Sequence, residues 1–222
     1  MENKFNPREL SSWIDAHMVR LGQSAIRIED GIVVYIDAFK KAVGLPRADY
    51  FFVTHVHGDH FNPALIRTLK GPDTHVVVPE SMRENKTDRG ISTVGIRPGE
   101  TKQVGTLTVT AVPAYNVRKP MHARRLNYVG YILQMPNGIS VYHAGDTDLV
   151  PEMTGLKPDI ALIPVGGLAT MNWKDALAAK TAIDARITVP IHYGLIPFSS
   201  SGAKKFLAHG GESVQELRDV NS

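Results

Sequence analysis

Residues 54–60 read Thr54-His55-Val56-His57-Gly58-Asp59-His60 and close the apolar run Tyr50 to Thr54. Three imidazoles and one carboxylate therefore crowd a loop directly after a predicted strand. In such a loop His55 and His57 turn to one side while Asp59 and His60 turn to another, which lets the segment serve two adjacent cations. Imidazole nitrogen with carboxylate oxygen suits zinc, and also manganese, iron or nickel.

Two later segments repeat the layout of an apolar run ending in a ligand-type residue. They are Val141-Tyr142-His143-Ala144-Gly145-Asp146 and Val189-Pro190-Ile191-His192. Strand ends are where open sheets place their sites, and these three can meet over one sheet edge. Asp146 would then lie between two metals, and His192 would complete the second.

Composition narrows the chemistry further. The 222 residues contain no cysteine, which excludes disulfides, thiolate metal sites and a cysteine nucleophile. Any metal must be held by His, Asp or Glu, and nine histidines are available. Hydrophobic residues at 43% and charged residues at 21% describe a globular chain of the size of one generous domain, read here as residues 1–222. The net charge of +3 is a weak pointer to anionic partners and does not make the chain a nucleic-acid binder; without an extra domain or an extended basic face, nucleic acid is not the expected partner. MENKFNPREL has no apolar leader, and the longest apolar stretch, Ile160 to Val165, is far below the ~20 residues of a membrane span. The expectation is a cytoplasmic protein with no membrane partner; its oligomeric state cannot be read from these features.

Patterning outlines the elements. Leu10, Trp13, Ile14, His17, Met18 and Leu21 recur at helical spacing behind Asn6-Pro7. Ala25 to Ile28 and Ile32 to Ile36 predict a hairpin ending in Asp37, and Asn62-Pro63 opens a short helix. His75 to Val78 and Leu107 to Val112 read as strands; Tyr128 to Met135 and Ile139 to Tyr142 flank the hairpin signal Asn137-Gly138. Ile160 to Val165 and Ile187 to Ile191 bracket a helix over Trp173 to Ile183. Strands alternating with helices in both halves predict an α/β (α+β) class with mixed sheets and helices outside.

The ordered set THVHGDH, HAGDTD and PIHYG resembles the metallo-β-lactamase superfamily, whose hallmark is HxHxDH with a later Asp and a final His. More narrowly, the chain is similar to a small stand-alone branch of metal-dependent hydrolases that includes L-ascorbate-6-phosphate lactonase. The likeness runs from about Ser24 to Phe206 and takes in IDAF, VPAYN and IPVGG. It implies a four-layer αββα sandwich with one or two divalent metals at an edge, and hydrolysis by a metal-bound hydroxide. By the resemblance, His55 and His57 bind the first metal, Asp59, His60 and His192 the second, and Asp146 both. Zinc is the expected ion, with manganese or iron as alternatives. The histidine that the family supplies after VPAY is here Asn116, and His122 is the other candidate for that place. Gln23 stands where relatives often have histidine.

A metal-activated water needs no serine nucleophile, and Gly138-Ile139-Ser140-Val141-Tyr142 misses the G-x-S-x-G elbow at its last position. Asp59 is the expected proton acceptor, with Tyr193 and His122 as proton donors. Asp37 and His143 are expected to orient ligands. Arg118, Lys119, Arg124 and Arg125 form a basic loop around His122 that would receive an anionic group of a small-molecule substrate, a lactone, ester or phosphoester. Gly166-Gly167 points to close backbone approach, while Met171 and Trp173 read as core. A nuclease or phosphodiesterase, and a non-catalytic metal-binding or sensing module kept open by Asn116, are the competing readings.

Overall fold

The structure, a computed structural model, describes residues 5–40, 44–195 and 199–220. Helix α1 (Pro7–His17) starts with a capping box, in which Asn6 Oδ1 accepts from Glu9 N at 3.0 Å and Glu9 Oε2 accepts from Asn6 N at 2.7 Å. It buries Leu10 and Ile14. The helix expected to run on through Met18 and Leu21 stops at His17 instead. Met18 is extended, and β1 (Met18–Gly22) pairs antiparallel with β2 (Ala25–Glu29). The reason is tertiary: β1 is covered by the C-terminal segment, where Arg20 N donates to Arg218 O at 3.0 Å and Val220 N to Arg20 O at 3.0 Å. Buried on both faces, these residues satisfy a helical period and a strand equally.

The chain continues through β3 (Val33–Ile36), β4 (Ala48–Phe52), α2 (Pro63–Leu69), β5 (Lys70–Pro79), α3 (Glu80–Glu84) and β6 (Val94–Ile96). Then follow β7 (Thr101–Val104), β8 (Leu107–Pro113), β9 (Val129–Gln134), β10 (Ser140–His143), β11 (Ile160–Pro164), α4 (Trp173–Ile183), β12 (Ile187–Ile191) and α5 (Ser199–His209). The strands form two six-stranded sheets, ordered β1-β2-β3-β4-β5-β6 and β12-β11-β10-β9-β8-β7. Strands β3 to β6 run parallel, as do β10 to β12. The Asn137-Gly138 hairpin joins β9 to β10 as patterned.

Strand alternation divides the apolar residues between layers. Val34, Ile36, Phe52 and Val77 face Val109, Tyr131, Leu133 and Leu162 of the opposite sheet. Tyr35, Phe51 and Val76 point outward to Leu65, Ile66 and Met82 of α2 and α3. On the far side, Tyr142, Ala161 and Ile163 pack against Ala176, Ile183 and Phe206 of α4 and α5. The result is helix, sheet, sheet, helix, with each fully buried aliphatic side chain contributing roughly 1.5–3 kcal/mol. Met171 lies in the outer core, as expected, and the partly buried Trp173 packs against it, its ring tilted at 39° to that of His209 at 5.1 Å.

Asp37, residues 53–60, Asn116, residues 144–146, Gly166 and His192 follow the C-terminal ends of β3, β4, β8, β10, β11 and β12. The two sheets are tied at that edge: Tyr131 Oη donates to Val53 O at 2.8 Å, and Val129 N to Thr54 O at 3.3 Å. Among the described residues no helix is long and apolar enough to cross a membrane.

Candidate metal centre

Three groups of ligand-type side chains converge at this edge: His55 with His57 and His122, His55 with His60 and Asp146, and Asp59 with His60 and His192. In the first, His57 Nδ1 lies 3.0 Å from His55 Nε2 and 3.1 Å from His122 Nε2. The other ring nitrogens are committed. His122 Nδ1 donates to Asn116 Oδ1 at 3.1 Å and Ala169 O at 3.2 Å. His55 Nδ1 donates to Thr54 Oγ1 at 3.0 Å, because that hydroxyl donates its own proton to Asp37 Oδ2 at 2.7 Å. Two Nε2 lone pairs thus face one His57 nitrogen that has a single proton to offer, an arrangement that a cation resolves and hydrogen bonding does not.

In the second group, Asp37 takes the His60 Nδ1 proton at 2.7 Å, which aims His60 Nε2 inward. Asp146 Oδ1 stands 3.3 Å from that nitrogen, yet neither buried atom has a hydrogen-bond partner. Asp146 Oδ2 lies 2.9 Å from His192 Nε2 and 3.7 Å from His122 Nε2, so one carboxylate reaches both groups. Asp59 completes the set, its Oδ2 being 3.7 Å from His60 Nε2 and 3.9 Å from His192 Nε2. Orphaned buried atoms in an imidazole and carboxylate shell are the donor chemistry of a borderline divalent ion.

The electrostatics divide the groups. Burial, reinforced by the neighbouring His60, drives His55 well below the usual histidine range; burial likewise lowers His57 and His122. These three are neutral and ready to ligate. Burial also works against a charge on His60, but Asp146 and Asp37 outweigh it and hold its pKa well above 6.5. Burial opposes the Asp146 charge too, and His60 and His192 overcome that, keeping the carboxyl well below its ordinary range.

Backbone geometry holds these side chains in place. Asp37, Gln23 and His192 all adopt the left-handed region, at φ 51°, 52° and 60°, a cost that clusters at functional sites. A β-carbon on Gly166 would lie 2.5 Å from His192 O and 2.7 Å from His192 Nδ1, the close approach that the Gly-Gly pair foreshadowed. His143 donates from Nε2 to Ser24 O at 2.9 Å and accepts Gly145 N at 3.2 Å, which ties the turn before Asp146 to the β1–β2 turn.

Residues 37–193 match the beta-lactamase superfamily domain. The chain belongs to that superfamily. A UPF0173 metal-dependent hydrolase from Nanoarchaeum equitans is 32% identical over 213 residues, covering 90% of this chain and 94% of its own. Another from Methanoregula boonei is 34% identical, over 80% of this chain and 82% of its own. Igni18, a metallo hydrolase from Ignicoccus hospitalis, superposes with a TM-score of 0.74 at 25% identity, covering 90% of this chain and 94% of its own. The protein is thus a metal-dependent hydrolase of the metallo-β-lactamase superfamily, with that family's sandwich.

Other expected site residues have different partners. Asn116 is committed to hydrogen bonds; Oδ1 receives His122 N and Nδ1, and Nδ2 donates to Ala169 O at 2.8 Å, so it orients His122. His122 has its Nδ1 proton held by those oxygens and is not free to donate it. The Tyr193 hydroxyl donates to Glu216 Oε1 at 3.1 Å and not to any of the grouped ligand atoms, and burial raises its pKa. Half of the basic loop is paired off as well: Lys119 donates to Asp148 and Thr170 O, and Arg124 to Glu152 Oε1 at 3.0 Å. Arg118 and Arg125 are exposed. The loops bearing the ligands instead expose Val117, Met121, Leu168 and Leu195. Sequence reasoning gave Thr54 and Ala169 no role; a threonine before a ligand run and a lone carbonyl carry no chemical signature of their own.

Proposed function

We propose that this hydrolase cleaves a lactone, ester or phosphoester bond in a small anionic organic molecule, using two cations held on either side of Asp146. The observation that carries the reading is Asp146 itself, whose Oδ2 reaches both His122 and His192 while Oδ1 stands against His60 without a hydrogen bond. His55, His57 and His122 would hold one ion, Asp59, His60 and His192 the other, and zinc suits both donor sets. Bound cations there supply an acidified water and a polarised carbonyl or phosphoryl oxygen. Asp59, whose side chain is 31% exposed against 4% for Asp146, is the carboxylate that water reaches. Its Oδ2 accepts the proton of the attacking water and returns it to the leaving oxygen.

Two features favour a small organic substrate over nucleic acid. Half of the basic loop is neutralised by its own acidic neighbours, and the side chains exposed on the ligand-bearing loops are apolar. Asn116, which left a non-catalytic module open, serves here to hold His122, so its presence does not deplete the ligand set.

The test is elemental analysis of the purified protein, then a screen of lactones, phosphodiesters and phosphorylated sugars with added zinc or manganese. Near-stoichiometric metal and turnover abolished by Asp59→Ala are expected. Metal-free protein that stays inactive under every supplementation would overturn the reading.

A further inference from the structure

With Lys119 and Arg124 paired, the basic loop keeps two exposed cations, Arg118 and Arg125, and a further cation stands on the other side of the centre. A cleft of about 480 Å³ opens beside the second ligand group, and its walls include Arg20, Gln23, Lys40, Tyr193, Leu195 and Asp219. Gln23 connects it to the metal centre: the amide nitrogen lies 3.1 Å from His192 Nε2 and 3.4 Å from Asp59 Oδ2. The Asp59 carboxylate selects that amide orientation, since the reverse would set oxygen against oxygen. Gln23 is only 3% exposed, and its Oε1 has no partner. Leaving such an acceptor unmade costs about 1–3 kcal/mol, unless a ligand supplies the donor.

The charges of the cleft leave a single cation unbalanced. Arg20, 7% exposed, is bound through Nη2 to Asp219 at 2.7 Å and through Nη1 to Tyr193 O at 3.0 Å, so its charge is answered. Its Nε, also lining this buried corner, has no partner. Lys40 is exposed, and among the described residues no carboxylate pairs with it. Its ammonium lies over Gly22, where an added β-carbon would come within 3.8 Å of Nζ, next in sequence to Gln23.

We propose that this cleft, and not the Arg118–Arg125 loop, receives the anionic group of the substrate. A carboxylate or phosphate is held by Lys40, and a hydroxyl or amide N–H of the same molecule donates to Gln23 Oε1. The inference rests on the hydrolase reading and names the subsite that the reading lacks. Charge-assisted bonds to an ammonium are the strong class, and Lys40 supplies the only unanswered charge among the lining residues named here.

Calorimetric binding of dianions to the zinc-loaded protein tests it. The probes are succinate, glutarate and adipate, with 3-phosphonopropionate for the phosphate case and acetate for the metal-only contact. The wild type should bind its best dianion at least about tenfold tighter than acetate, and Lys40→Ala should reduce that margin to about twofold. Lys40→Arg should restore part of it, and Arg125→Ala should leave it intact. Acetate affinity, zinc content and thermal midpoint should be unchanged in Lys40→Ala. Whichever dianion, carboxylate or phosphonate, depends more on Lys40 names the anionic group. A margin that survives Lys40→Ala, or a wild type that does not separate dianions from acetate, overturns the proposal. With zinc bound and neutral esters cleaved, that result removes the cleft alone; absence of both zinc and cleavage removes the hydrolase reading.

Discussion

Asp37 governs ligands of both groups from one fully buried carboxylate. It accepts Thr54 N at 2.8 Å, Thr54 Oγ1 at 2.7 Å and His60 Nδ1 at 2.7 Å, and through the threonine hydroxyl it also aligns His55. Asp37→Asn removes the charge and turns an amide against these donors. A loss of about 3 kcal/mol or more is expected in urea unfolding of the metal-free protein. Zinc affinity should also fall about 10–100-fold for both ions. Thr54→Val separates the two effects, because it cuts only the relay to His55. A zinc titration should then show one weakened site and one near wild-type site, with Thr54→Ser restoring the first. Equal weakening of both would show that the relay is not what orients His55. Asp37 was readable as an orienting carboxylate because it ends an apolar run, whereas the Thr54 relay was not, since it depends on two side chains meeting across adjacent strands.

The connections after the strands decide how well each ligand is placed. The turn at Gly166 follows β11 and packs directly on His192 after β12, so a methyl group there has no room. Gly166→Ala should displace His192, cost about 1–3 kcal/mol from overpacking and leave a protein that binds one zinc in place of two. Retention of two zinc ions by mass spectrometry would refute this. The loop around residue 169 acts on the other ligand group: Ala169 O accepts from both Asn116 and His122. An element-by-element reading placed α4, the hairpins and the buried strands because their signals are local. It misjudged β1, whose strand character comes from the C-terminal residues laid over it, and it gave no sign of β6 and β7, edge strands of three and four residues, too short to show a period.

The response of the entire domain to acid follows from the buried histidines. Burial is the leading cause that lowers His55, His57, His122 and His143, so each is neutral when folded and takes up a proton near pH 6.5 when unfolded. Their contribution is present above about pH 6.5 and is lost as pH falls toward their lowered values. His60 has the opposite sign: its raised pKa stabilises fully below about 6.5 and fades as pH rises through the folded value. Asp146, held low, matters only toward strong acid. The denaturation midpoint of metal-stripped protein should therefore fall between about pH 7 and about pH 5. A flat or rising midpoint over that interval would contradict the neutral assignment of the four imidazoles.

The linear chain carried the candidate ligand side chains, their order and the strand ends that bear them, because HxHxDH, the later Asp and the final His are local patterns of residue type after apolar runs. That His122 turns a ring nitrogen toward His57 while Asn116 holds its other nitrogen came from the fold, since the arrangement depends on a carbonyl at residue 169 that lies 47 residues from His122. The same holds for the charges. Lys119 and Arg124 read as free cations until Asp148 and Glu152 were brought beside them, while Lys40 stood unnoticed until the β1–β2 turn placed Gly22 beneath it and Gln23 in the same cleft. Residue type is written along the chain, but pairing, burial and direction are properties of distances between its remote parts.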